Sequence, residues 1–88
     1  MQKIVLVDKK SSGKMYVEKL YLSTGDTESF RNENDSFYFV ISGYGFMSVE
    51  SYDYNFEPET SFFVPKNSEY SFSNTGEIDL VLVCYSTK

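Results

Sequence analysis

The residues of this chain that could do chemistry are few, and the first fact about them is an absence: none of the 88 residues is His. Without imidazole the chain lacks the commonest metal ligand and the commonest general base, so Ser-His-Asp or Cys-His nucleophilic catalysis is closed to it acting alone. The remaining candidates are Tyr70, set in the run SEYSFSN, and the carboxylates Glu33, Asp35, Glu50 and Glu69. A Tyr acid and a Glu base could run an isomerisation, with Tyr70 set against Glu69 or Glu50, yet no spacing in the chain demands such a pair. Glu33, Asp35 and Glu69 could offer hard oxygen donors to a cation; their surroundings read instead as solvated loops. Cys84 is the single cysteine. It has no partner for an intramolecular disulfide, and its place within LVLVCYS reads as a buried, inert thiol.

Charge narrows the partners further. The net charge of −5 is uneven: residues 1–20 carry a local balance of +3, from five Lys against Asp8 and Glu18, whereas residues 26–59 carry −7, with Arg31 the lone cation. An acidic middle argues against direct nucleic-acid binding, which needs a basic stripe to displace counterions. The Lys cluster of DKKSSGK reads as a solvated loop. No run approaches the roughly 18 apolar residues of a membrane span, and no signal-peptide core follows Met1. The expectation is a soluble, intracellular domain with no membrane contact.

The elements that must position these residues follow from composition. Eight Tyr and eight Phe, with little that favours helix, point to an all-β chain, and the length predicts one domain over residues 1–88. Ile4–Val7 reads as a first strand, MYVEKLYL (15–22) as a second in preference to a helix, and Thr24–Asp35 as a polar surface loop with room for a short irregular strand. Residues 36–50 read as a hairpin, FYFVI and FMSVE about SGYG, and SYDYNF adds a second antiparallel step. ETSFFVPKNSEYSFSN is a buried strand, a Pro-bearing turn in which Asn67 can take a positive φ, and a second strand with Tyr70 and Phe72 on one face. LVLVCY (80–85) closes the chain. About eight short antiparallel strands without a major helix predict a jelly-roll barrel or sandwich.

Residues 36–85 resemble the cupin superfamily of small jelly-roll barrels. The second cupin motif runs Gly, five residues, Pro, one residue, Gly, two residues, His, three residues, Asn. Pro65 and Asn74 match it at that spacing, Glu59 and Asn67 stand at its two Gly positions, and Tyr70 stands at its His. Gly43 matches the Gly that ends the first motif; counting back, the ligand Glu falls on Ser36 and the two ligand His on Phe30 and Asn32. The degenerate motif of Gly43, Pro65, Tyr70 and Asn74 thus implies a metal-free cupin without a cofactor. The segment SFFVPKNSEYSFSN before an apolar terminal strand is similar to the C-terminal domain of centromere protein C, the inner-kinetochore protein also called Mif2 in budding yeasts. That resemblance implies a non-catalytic homodimerisation domain at the end of a longer nuclear, centromeric protein, with other kinetochore proteins as further partners.

The residues support a dimer without any family. Strands 37–41 and 80–85 are apolar on both faces, and a small barrel has one inside to fill. Phe37, Phe39, Ile41, Val81, Val83 and Tyr85 are therefore predicted to form a homodimer interface, since the same patch can bury itself about a two-fold axis. The alternative reading is a small-molecule-binding or isomerase-type cupin, using an aromatic-lined lumen with Tyr70, Glu69 or Glu50 as its polar groups.

Overall fold

The computed structural model describes residues 1–7, 15–50 and 52–87, and the Lys-rich loop at 8–14 lies outside them. Nine strands follow one another: β1 (Gln2–Val7), β2 (Met15–Leu22), β3 (Thr27–Arg31), β4 (Ser36–Ser42), β5 (Gly45–Val49), β6 (Tyr52–Phe56), β7 (Ser61–Val64), β8 (Glu69–Asn74) and β9 (Leu80–Thr87). There is no helix among the described residues. Every pairing is antiparallel, in a five-stranded sheet ordered β1-β2-β9-β4-β7 and a four-stranded sheet ordered β3-β8-β5-β6. The chain crosses between sheets at most of its turns, which is the jelly-roll arrangement.

Because side chains alternate across a strand, each sheet has an inner and an outer row. Leu20, Leu22, Tyr38, Val40, Val64, Leu80, Leu82 and Cys84 line the inside of the larger sheet, and Met47, Phe56, Tyr70 and Phe72 face them from the smaller one. Phe72 is the hub: Tyr38, Phe56 and Phe62 meet it edge-on with ring centroids 5.0, 5.6 and 5.9 Å away. Such aromatic pairs contribute about 0.5–1.5 kcal/mol each beyond the area they bury.

Three expectations change. The 36–50 segment is no hairpin: β4 pairs with β7 and β9 and β5 with β6 and β8, so the two strands belong to different sheets. Gly43 (φ 93°) turns the chain at this corner, where a Cβ would lie 2.6 Å from the Asp79 carbonyl oxygen; it is Gly because another chain segment passes against it. The polar stretch 24–35 contains a full strand, β3, whose ladder with β8 runs from Thr27↔Ser73 to Arg31↔Glu69. Its local propensity is poor; pairing with β8 and the packing of Phe30 against Tyr70 override it. Finally, β7 is not buried throughout. It ends its sheet, and only Val64 is fully covered while Phe63 is exposed.

Candidate functional site

The positions assigned from the cupin motifs converge at one end of the barrel. Phe30 on β3 stacks on Tyr70 of β8 at 5.4 Å. The Tyr70 hydroxyl donates to Asn32 Oδ1 at 2.5 Å and also contacts the Tyr38 hydroxyl. As Asn32 Oδ1 can only accept, the single Tyr70 proton is committed to it, and Tyr38 donates to Tyr70. The relay therefore runs Tyr38, Tyr70, Asn32, and it ends on Asn32 Nδ2, a buried donor without a partner. Ser36 is buried against β9, with its Oγ 3.0 Å from Ser86 Oγ, and Cys84 Sγ is 3.5 Å from the same Ser86 oxygen.

Burial sets the electrostatics of this cluster. It pushes the Tyr70 hydroxyl up to about 12, against the hydrogen bond accepted from Tyr38, which lowers it. It pushes Tyr38 still further from the ordinary phenol range, and it raises the Cys84 thiol above its usual value. All three groups are neutral at physiological pH. Such groups can hold a hydrogen bond but cannot accept a proton or bind a cation as anions.

The other motif residues shape the backbone. Asn74 Nδ2 donates to the carbonyl oxygens of Leu22 and Ile78, each at 2.9 Å, and its Oδ1 accepts from the Gly76 N–H at 2.9 Å. It pins β2, β8 and the 75–79 turn together. Glu59 and Asn67, at the two motif Gly positions, hold positive φ values of 72° and 66°. Both keep the left-handed backbone that Gly adopts most cheaply. After Pro65 the turn is tied across to the 32–35 segment, with Lys66 N–H donating to Asp35 Oδ1 at 2.9 Å and Asn67 N–H to the Asn32 carbonyl at 2.7 Å.

A divalent metal does not fit these side chains. Phe30 has no donor atom, the Asn32 amide oxygen is neutral and taken by Tyr70, the Ser36 hydroxyl is bonded to Ser86, and Tyr70 is a phenol held protonated. Among the described residues no group of three or more Cys, Asp or Glu is placed to hold a metal ion. The two carboxylates proposed for a lumen line, together with Tyr70, an open cleft of about 440 Å³. Glu69 faces outward on the smaller sheet and bonds Arg31 at 3.0 Å, and Glu50 is exposed beyond the end of β5. The sequence reading overlooked Glu18, which enters the inner row through its register with Cys84 and accepts from the Tyr16 hydroxyl at 3.1 Å. Its position in MYVEKLYL, with Leu20 and Leu22 on the same face, was the available signal.

The outer surfaces of the two sheets differ. On the smaller sheet the outward row holds Thr27, Ser29, Arg31, Ser48, Asp53, Asn55, Glu69, Ser71 and Ser73, with Phe46 the only large apolar side chain among the described residues. On the larger sheet, register places Ile4, Val17, Tyr21, Phe37, Phe39, Phe63, Val81, Val83 and Tyr85 on one face. All six residues named for the interface thus belong to this side of the barrel, with Ile41 at the bulge beside Val81. Val81 and Val83 are only 8% and 9% exposed and form its floor; Ile4, Phe37, Phe39, Ile41, Phe63 and Tyr85 stand exposed above them. Lys19, the cation on this face, has its Nζ 5.3 Å from the Tyr21 ring centroid.

A two-sheet antiparallel barrel packed around an aromatic core defines a jelly-roll domain. A cupin domain profile (Cupin_2) matches residues 18–86, and the chain belongs to that family. No curated protein matches it. Among solved structures, it is similar to the cupin domain of an XRE family transcriptional regulator from Enterobacter cloacae, with 13% identity, TM-score 0.89, and coverage of 99% of this chain and 95% of that one. It is also similar to a predicted oxalate decarboxylase from Thermotoga maritima (18% identity, TM-score 0.87, 97% of this chain and 77% of that one). The Schizosaccharomyces pombe Cnp3 cupin domain is a third (16% identity, TM-score 0.85, 98% and 64%). At these identities the likeness is one of fold.

Proposed function

We propose that this cupin is a homodimerisation module without metal-dependent catalysis, and that its interface is the outer face of the five-stranded sheet. The observation that carries the reading is the contrast between the two outer faces, one serine-rich and charged, the other lined by Ile4, Phe37, Phe39, Ile41, Phe63 and Tyr85. Each such side chain gains roughly 1.5–3 kcal/mol when it leaves water, and a two-fold pairing covers the same patch on both copies. A dimer brings together whatever its parent chain carries, which turns weak single contacts into avid ones. The narrower form of the reading is a nuclear, centromeric protein of the centromere protein C kind. It is supported by the resemblance over residues 36–85 and by the Cnp3 cupin domain among the similar structures, beside bacterial neighbours of equal likeness.

Light scattering at micromolar concentration tests the dimer. The expected mass is twice that of the chain, and Phe39→Glu is expected to give a folded monomer, weakening association by about 3 kcal/mol or more, roughly 100-fold. A monomeric parent chain would end the proposal. The narrower form requires the tagged whole protein to sit at centromeres in its own cells, and diffuse signal would remove it.

A further inference from the structure

The two sheets end side by side at β6 and β7, and the seam between them is open. Among the described residues neither strand has a second neighbour: β6 closes the order β3-β8-β5-β6, and β7 closes β1-β2-β9-β4-β7. A cleft of about 630 Å³ lies there, with Met47, Val49, Phe62 and Val64 toward the core and Tyr54 and Phe63 at its sides. That volume is typical of a binding cleft. Its base is stiff. The 57–60 turn is closed by Thr60 N–H to the Glu57 carbonyl at 3.1 Å, and it is tied to β4 by Glu59 N–H to the Val40 carbonyl at 2.9 Å and Val40 N–H to the Thr60 carbonyl at 2.8 Å.

We propose that this seam docks an extended peptide, which adds to the free edge of β6 as a further strand and alternates apolar with basic residues. An edge strand presents unpaired N–H and C=O groups to such a partner. The alternation follows from register. Tyr54 pairs with Met47 on the inner side of β6, so every second residue of an added strand falls toward the apolar cleft. Asp53 and Asn55 pair with Ser48 and Phe46 on the outer side, so the residues between lie beside a carboxylate and an amide. Charge selects the basic class: residues 50–64 contain Glu50, Asp53, Glu57 and Glu59 and no Lys or Arg. The same acids oppose pairing between the β6 edges of two copies, which would set like charges side by side. A second copy paired through β6 is therefore not the occupant; the seam meets the proposed dimer face at Phe63, a rim residue that the two share.

The test titrates ¹⁵N-labelled protein with a capped eight-residue peptide of alternating Lys and Val. Two comparison peptides are a Glu-Val version and a Lys-Val version N-methylated at every residue. The expected result is saturable amide shifts confined to 52–56 and 61–64, with slowed amide exchange in β6. Affinity is expected to fall about tenfold or more for the Glu-Val peptide, for the N-methylated peptide and for Asp53→Lys. It should weaken as salt rises and stay unchanged in an Ile4→Glu variant, whose substitution lies on β1, at the opposite edge of the five-stranded sheet from β7. Absence of saturable shifts up to about 1 mM peptide, or shifts confined to the outer face of the five-stranded sheet, would overturn the proposal. So would equal binding of the N-methylated peptide, which would show charge attraction without strand pairing; Asp53 and its neighbours would then serve only to guard the sheet edge.

Discussion

The Tyr38 hydroxyl, from the five-stranded sheet, donates a hydrogen bond to the Tyr70 hydroxyl, from the four-stranded sheet, at the end of the barrel where the cupin ligand positions meet. One phenol bridges to the other and on to Asn32, so a chain of neutral hydrogen bonds joins the two sheets. Because both rings are buried, the relay cannot be cut without leaving a polar atom in an apolar setting.

Tyr70→Phe removes the middle of that relay and strands the Tyr38 hydroxyl and the Asn32 amide oxygen. It is expected to lower stability by about 1–3 kcal/mol in urea unfolding. Tyr38→Phe and Tyr70→Phe together are expected to cost less than the sum of the two single changes, because they remove the same link. Additive costs would show that the two hydroxyls do not depend on each other.

Stability is expected to fall at alkaline pH. In the unfolded chain both phenols ionise near pH 10, whereas in the fold Tyr70 is held up to about 12 and Tyr38 beyond that. Between these limits the native state keeps protons that the unfolded state releases, so the contribution of the two phenols is full below pH 10 and declines as pH rises toward 12, while the raised Cys84 thiol begins its own loss above about pH 8.5. Urea midpoints followed across this window would show the decline, and it should be shallower in Tyr70→Phe. A flat profile would mean that the two rings are solvated.

The positive-φ positions give opposite outcomes. Glu59→Gly is expected to stabilise by about 0.5–1 kcal/mol, since Gly enters the left-handed region without a Cβ penalty but loses more chain entropy. Gly43→Ala is expected to cost roughly 2–3 kcal/mol, because its Cβ would press on Asp79 and Leu80. Chemical denaturation of the two variants beside the parent measures both.

Cys84 is expected to react with a thiol reagent only as fast as the domain opens. Its side chain lies on the inner row at 2% exposure, and burial holds the thiol protonated. Labelling that proceeds at the rate of a free thiol in native buffer would contradict that placement. Addition of a chelator, in the same series, is expected to leave the melting temperature unchanged, because the side chains at the ligand positions do not suit a metal.

By itself the sequence determined the strand content, much of the inward alternation and the spacing of the second cupin motif. Those depend on local matters: aromatic and β-branched residues at period 2, Pro65 at a strand end, and Asn67 where a positive φ is needed. Tertiary structure decided which strands pair. FYFVI and FMSVE look like a hairpin from their connection, yet β4 and β5 bury their inner rows in different sheets, since long-range burial outweighs a short turn. β3 was legible only as a short strand within a polar loop, because its residues favour a regular strand only when β8 lies alongside. Likewise the apolar face was visible in β4 and β9 alone; Ile4, Val17 and Phe63 join it because β1, β2 and β7 are hydrogen-bonded into that same sheet. The seam at β6 and β7 has no local signature, because an edge exists only once every other strand has found its neighbours.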